Sequence, residues 1–485
     1  MHLLVSIAMS DRLVDDILDL VFAWLHPKEW RRSWPQTMLA KDLRKDLATC
    51  SLVSKRWRAM ARPHLFRDIV YTFRAVPEER TTAVEGEPYL TEPRYRTLRM
   101  FHTFLQQNNF ACTAIRRLQL RALPATANDG TVMSMFYKIP DFVYGPQDMV
   151  QVELFMDILA LTYNISDLDL REIILALPRP TSLSGLSLQT LEIYFGTAQT
   201  HEDWKIQPDY ATTKILSCFD LIDELGVNGL IIKGGAAMPP AADAPDLSHL
   251  RVRSLHLGHL MGAGQRGIIP QSLQEPLFAQ SLRVLDFTTT DDEQLPVQQE
   301  LLEFVQDHIQ ELICTVDNGP NTDTPLIIPH CPNLRSIRLG TSIHTCAVGE
   351  DSDSHHSINR LVLYLRQCRR TVSFYPALAR IVLHLGIVSG RKQEPDVWLV
   401  GLTSALKDLD SALVEFFDCR PSCALTIEYG RPRNMDMAYA TTALVHAFAR
   451  FLPKMVGRRG LTFCVAGQYL REYEHQQNSS GSVLI

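Results

Sequence analysis

The sequence has few cysteines, no long uncharged apolar run and no excess of positive charge. Ten cysteines in 485 residues are too sparse for a disulfide scaffold. Most lie in apolar stretches, such as Cys112 in FACTAI and Cys464 in LTFCVA, where a thiol packs as a small hydrophobe. This usage fits a reduced intracellular protein, cytoplasmic or nuclear. No stretch reaches ~18 apolar residues without a charge, so no membrane-spanning helix is expected. The opening run MHLLVSIAMSDRLVDD has no basic residues ahead of its short apolar segment, and acids follow at once. It therefore does not read as a secretory signal. A net charge of −6 argues against a protein that coats nucleic acid.

Catalytic signatures are also missing. There is no Gly-x-Ser-x-Gly elbow, no phosphate loop ending in Gly-Lys-Ser/Thr and no His-Glu-x-x-His. Gly258, Gly262, Gly264 and Gly267 follow a strand-like run, but their spacing is not that of a dinucleotide fingerprint, and a surface loop is expected. Cys419 and Cys423 have no second pair at zinc spacing. Asp351, Asp353, His355 and His356 in EDSDSHHS read as a solvated loop rather than an ion site. Lys55, Arg56, Arg58 and Arg62 read as a solvated helix face. No catalytic residue, cofactor or metal is expected, and no cysteine stands out as a thioester carrier.

What remains is an ordinary globular composition, 46% hydrophobic and 21% charged, which excludes a disordered chain. The length suggests about two to four domains or one long repeat array. Residues 10–74 read as a dense helical domain. In it, Leu13, Ile17, Val21 and Leu25 recur every four residues, with Val14, Leu18 and Phe22 beside them. His26-Pro27 ends that helix. A second helical run covers AKDLRKDLATCSLVSKRWRAMA and breaks at Pro63, after which HLFRDIVY begins a strand. Residues 77–97 are polar and proline-containing, like a linker.

From residue 98 to 470 a short strand of the form Leu-x-x-Leu-x-Leu recurs. Examples are IRRLQL (115–120), ISDLDL (165–170), LQTLEI (188–193), VNGLII (227–232), VRSLHL (252–257), LRVLDF (282–287), IQELIC (309–314), LRSIRL (334–339), LARIVL (378–383), CALTI (423–427) and GLTFCV (460–465). Alternate apolar residues in each share one face. Helix-like runs lie between them, among them VELFMDILALTY, TKILSCFDLIDEL, QQELLEFVQDHI and INRLVLYLRQCRR. Strand then helix, repeated, is the mark of an α/β solenoid. From Leu230 the fourth positions are 25, 30, 27 and 25 residues apart through Leu255, Leu285, Leu312 and Ile337, then 44 to Ile381. The alternative is an ordinary αβ domain whose strands share leucines. His256, Arg335, Arg338 and Glu192 are candidate target-facing positions, and His256 and His384 are placed on the solvent side of their strands. The segment 471–485 reads as a flexible tail.

The segments LVDDILDLVFAWL (13–25) and DLATCSLVSKRWRAMARPHLFRDIVY (46–71) resemble an F-box, in the version common in mushroom-type fungal proteins. The phrase that carries the resemblance is Leu47, Cys50, Leu52, Val53, Ser54 and Trp57. Val14 stands where proline is usual, Ser54 where cysteine is frequent, and KEWRRSWPQ is inserted between the helices. The resemblance implies a helical F-box followed by an irregular leucine-rich-repeat solenoid. It also implies a substrate receptor that binds a Skp-type adaptor of a cullin–RING ubiquitin ligase and an unidentified target protein. Ubiquitin transfer itself is left to other subunits. The residues expected at the adaptor are Leu13, Val14, Ile17, Leu18, Leu47, Leu52, Val53, Trp57, Leu65 and Phe66. So small a helical unit leaves apolar surface exposed, which marks a partner site. The alternatives are that these helices cap the solenoid, that the chain is a scaffold not coupled to degradation, or that it is an αβ enzyme without a recognisable motif.

Overall fold

Strands of the recurring six-residue form need neighbours for their backbone N–H and C=O groups, and they pair with them in parallel register. A computed structural model describes residues 18–22, 36–74, 96–123, 142–144, 150–175, 186–194, 198–200, 212, 214–228, 247–258, 276–289, 295–316, 327–345, 352–389, 402–429, 450–455 and 461–465. The chain divides into two compact units, Met1–Ile206 with Ser217–Phe219, and Gln207–Leu216 with Asp220–Ile485.

In the first unit, residues 18–22 are helical, followed by α1 (Gln36–Val53), α2 (Lys55–Arg67) and β1 (Asp68–Arg74). The single helical run expected from residue 40 to Pro63 is in fact two helices. Ser54 is extended (φ −158°) and its hydroxyl accepts the Trp57 N–H at 3.1 Å, so it caps α2 instead of continuing α1. Pro63 lies inside α2 with an exposed ring, at the loss of one backbone hydrogen bond. Next come α3 (Leu98–Gln107), α4 (Asn109–Ala114), β2 (Arg117–Leu123), β3 (Phe142–Tyr144) and α5 (Val152–Leu161). The unit closes with β4 (Asp167–Arg171), β5 (Ser187–Tyr194) and β6 (Ala198–Thr200). Strands β1, β2, β4 and β5 pair in parallel in that order, which aligns Leu118, Leu168 and Leu191 in one buried row and Leu120, Leu170 and Ile193 in the next. Strands β3 and β6 pair separately.

The second unit holds β7 (Leu221–Asn228), β8 (Arg251–Leu257), α6 (Pro276–Ser281), β9 (Val284–Thr289), α7 (Leu295–Val305), β10 (Glu311–Val316), β11 (Ser336–Thr345), α8 (Ser352–Arg370), β12 (Arg380–Ser389), α9 (Thr403–Cys419), β13 (Ala424–Tyr429) and β14 (Leu461–Val465). The eight strands pair in parallel in chain order. Leu255, Leu285, Leu312, Ile337, Ile381 and Leu425 form one row, and all are 0–1% exposed. Burying each contributes about 1.5–3 kcal/mol, so this row is a main source of the unit's stability.

Two expectations fail here. Strand β7 takes up Leu221–Asn228, the first part of which lies in a run read as helix; of the strand expected at 227–232, residues 229–232 lie outside the described residues. Residues 222–227 (IDELGV) have the strand form themselves, and pairing to β8 buries Ile222, Leu225 and Val227. Asp223 and Glu224 between the apolar groups imitate a helical pattern. The expected loop GTSIHTCAVGEDSDSHHS is shorter than its length suggests. Strand β11 runs on to Thr345, and α8 begins at Ser352, so His355 and His356 lie in a helix. Pairing with β12 through Thr345 and the burial of Ser357 and Ile358 draw both ends into regular structure.

The same corner precedes four strands of the second unit. A buried apolar residue donates its N–H three residues back: Leu250 to Leu247, Leu282 to Ala279, Leu334 to Cys331 and Leu378 to Tyr375. One carbonyl then accepts two successive N–H groups of the next strand. The Arg283 carbonyl takes Gln310 and Glu311, that of Gln310 takes Arg335 and Ser336, and that of Arg335 takes Ala379 and Arg380. In the first unit the Arg116 carbonyl takes Ser166 and Asp167 in the same way. Burial pushes the thiols of Cys331 and Cys368 up to about 12 and that of Cys423 up to about 11, so these groups pack as neutral hydrophobes. Among the described residues no helix is long and apolar enough to cross a membrane, and no group of three or more His, Cys, Asp or Glu could hold a metal ion.

Candidate functional site

A helix pair with so little volume must bury one large side chain well to hold together. Here that side chain is Phe22, fully buried with Leu47 and Ala61, and Leu18, Cys50, Trp57, Met60 and Leu65 pack around them. Trp57 meets Phe22 edge-on at 5.7 Å, and the His64 ring lies 6.1 Å from Phe22. His64, itself buried, hydrogen-bonds the exposed Asp19 carboxylate at 2.8 Å, which ties helix 18–22 to α2. At the α1–α2 junction the Arg58 Nε also donates to the Ser51 carbonyl at 3.2 Å.

The residues expected at an adaptor are placed differently from one another. Leu13, Val14 and Ile17 lie outside the described residues. Leu47 is 1% exposed, so as placed it is closed to a partner. Leu18, Trp57 and Leu65 are half-buried against the same core. Phe66 turns to another neighbourhood, stacking on Phe104 at 6.2 Å and meeting Phe110 edge-on at 6.4 Å. Leu52 and Val53, at the end of α1, are 74% and 63% exposed. Leu20 and Val21 are exposed as well and were not among the expected residues. Their signal was present: Leu18 and Phe22 are four apart and share the inward face, which leaves positions 20 and 21 pointing away. Among the described residues, four large aliphatic side chains are thus exposed on the helices that bury Phe22, Leu47 and Ala61.

A second region of interest is the sheet face of the second unit opposite the leucine rows. His256 and Asp286 are register partners on β8 and β9, and their side chains meet at 2.9 Å. On β11–β13, Arg338 reaches across β12 to Glu428 at 2.7 Å, and His384 donates or shares a proton with the same Glu428 oxygen at 3.1 Å. Arg380 lies against the Thr426 hydroxyl. Burial pushes the Glu428 carboxyl up, but the His384 hydrogen bond and the Arg338 charge more than offset it and hold the group below its ordinary value. Of the target-facing candidates, His256, Arg338 and Glu192 are half-buried and Arg335 is exposed.

Because its pKa is lowered on folding, Glu428 contributes stability that is present above the ordinary carboxylate range. That contribution is lost as pH falls through the lowered value. Glu428→Gln is expected to flatten the acid limb of a stability–pH curve measured by urea unfolding. An unchanged slope would contradict the assignment. Arg338→Ala is expected to cost about 2 kcal/mol, less than the ~3–5 kcal/mol of a fully buried pair, because Arg338 is partly exposed and His384 remains as a partner.

The geometry of the helical pair and the comparison with known families coincide. Residues 44–68, which cover the end of α1, the Ser54 cap and all of α2, match the family model of the F-box domain. No curated protein matches the chain. An F-box domain is therefore found at residues 44–68, followed along the chain by parallel β-strands.

Proposed function

We propose that this chain is the substrate receptor of a cullin–RING ubiquitin ligase. The F-box helices bind a Skp-type adaptor, and the parallel strands form an irregular leucine-rich-repeat solenoid that presents its polar sheet face to a target protein. The observation that carries the adaptor reading is the exposure of Leu52 and Val53 on a matched F-box whose described core closes around Phe22, Leu47 and Ala61 without them. Apolar side chains in that setting gain by being covered. Leu20 and Val21 belong to the same category of exposed aliphatic groups on these helices. The repeated strand-entry corner, with its buried apolar residue and its doubly used carbonyl, supports the repeat reading. No chemical step falls to this chain in that role: it raises the local concentration of target lysines near a charged ubiquitin carrier.

The test is co-purification of the full chain with a Skp-type adaptor from the same source. Wild type is expected to capture the adaptor. Leu52→Asp/Val53→Asp is expected to lose capture by at least about a hundredfold while keeping its circular dichroism, since two charges would be forced into an apolar interface. Capture that survives in the folded double variant, or a wild type that captures nothing, would sink the proposal.

A further inference from the structure

The strand motif carries arginine at its second position more than once, and parallel register turns that recurrence into a surface. At the strand-entry edge of the second unit, backbone pairing puts Arg253, Arg283, Gln310, Arg335 and Ala379 in one row, and Ser254, Val284, Glu311, Ser336 and Arg380 in the next. These ten positions on β8–β12 hold four arginines and one acid, Glu311. Arg251, earlier on β8, adds a fifth cation. Like charges on adjacent strands repel, so the fold gains nothing from such a row by itself.

A structural use accounts for part of it. Arg283 Nη1 donates to the carbonyls of Gln280 at 2.6 Å and Leu282 at 2.9 Å, closing the end of α6. Arg116 in the first unit repeats the device, donating to Thr113 at 3.0 Å. Arg380 touches Thr426. The guanidinium groups of Arg251, Arg253 and Arg335 have no such use. Each is exposed, and none makes a hydrogen bond or ion pair among the described residues. Four further acids lie near this edge: Asp220, which sits 3.9 Å from His249, Asp223 and Glu224 on β7, where Glu224 is the register partner of Ser254, and Asp307 at the turn before β10.

We infer that this strand-entry edge of the second unit is a docking surface for an acidic, extended polypeptide segment. At ~4.8 Å between strands, the ridge from β8 to β12 spans about 19 Å, the reach of about six extended residues. That length suits a run of carboxylates and exceeds a single small anion. Arginine's planar fork pairs with carboxylates two bonds at a time. The net negative charge of the whole chain disfavours the long polyanionic backbone of a nucleic acid over a short acidic segment. As the contact for a degradation target, the edge rests on the receptor reading above, whereas binding of an acidic segment does not depend on it.

The probe is a fluorescein-labelled oligo-glutamate of about ten residues, long enough to span the ridge, titrated by anisotropy with the full chain at low and high ionic strength. Wild type is expected to bind, more weakly as salt rises. Arg251→Ser/Arg253→Ser/Arg335→Ser is expected to weaken binding about tenfold or more. A control with the same charge change on exposed helix positions, Arg366→Ser/Arg370→Ser/Lys407→Ser, is expected to keep wild-type affinity, with circular dichroism unchanged in both variants. Absence of binding by wild type, equal loss in both variants, or tighter binding of an oligo-uridylate than of the oligo-glutamate would each overturn the inference. Adaptor capture by the ridge variant is read in parallel. If capture fails in wild type but the ridge still binds oligo-glutamate, the receptor reading falls and the docking surface stands.

Discussion

Phe22→Ala is expected to cost about 3–5 kcal/mol of local stability, the usual range for deleting a buried aromatic ring. The effect falls on a core that has almost nothing else to share it. Phe22, Leu47 and Ala61 are its only fully buried hydrophobic members among the described residues, and Trp57 and His64 lean on the ring. A unit this small buries a modest fraction of its surface, so a loss of this size melts it. The rest of the chain has its own cores and should not follow. The measurement is hydrogen exchange of backbone amides in α1 and α2, where protection should collapse while that of β9–β12 persists. Adaptor capture should vanish with it. Leu20→Ala, on the exposed side of the same helix, should leave exchange unchanged and act on capture alone. Equal protection in Phe22→Ala and wild type would show that the packing is not what holds these helices.

Tyr375→Ala is expected to be comparably severe in the second unit, about 3–5 kcal/mol. Tyr375 is fully buried in the corner that leads into β12. Its hydroxyl donates to the Ile328 carbonyl at 2.8 Å and shares a 2.9 Å hydrogen bond with Thr371. Burial raises the phenol pKa, so the group stays neutral and serves as a donor at any physiological pH. Tyr375→Phe keeps the ring but removes one hydrogen bond to the Ile328 carbonyl and one to the Thr371 hydroxyl, so it should cost about 1–2 kcal/mol. Urea unfolding separates the two terms: the difference between the variants reports the ring, and the phenylalanine variant reports the hydroxyl. A phenylalanine variant as weak as the alanine one would mean the hydrogen bonds dominate over packing.

Both residues show how much was legible along the chain. Phe22 falls at helical spacing from Leu18, and Tyr375 sits just ahead of a Leu-x-x-Ile-x-Leu strand. Either could be assigned to a core from periodicity. The strands were legible for the same reason, since a pattern of alternate apolar residues depends only on nearest neighbours in sequence. Where that pattern was shared with another element, the reading slipped. In LIDEL the acids satisfy a helical wheel as well as a strand, and only the pairing of β7 with β8 decides between them. At Ser54 the run of helix formers hides a cap, because a serine continues a helix or starts one depending on the backbone before it.

By itself, the sequence determined the F-box phrase, the run of strands, and the alternation of strand and helix, because each is encoded in spacings of one to seven residues. Only the tertiary structure decided which leucines are used up and which are offered. Leu47 and Leu52 are five apart in the same phrase, yet one fills the core under Phe22 and the other stands in water. It also decided the charge arrangement. Arg338 and Glu428 are 90 residues apart, and Arg253, Arg283 and Arg335 come from three separate strands. Such pairs and rows exist only once the strands have closed in one register, and a register is a property of the assembled sheet that no single segment contains.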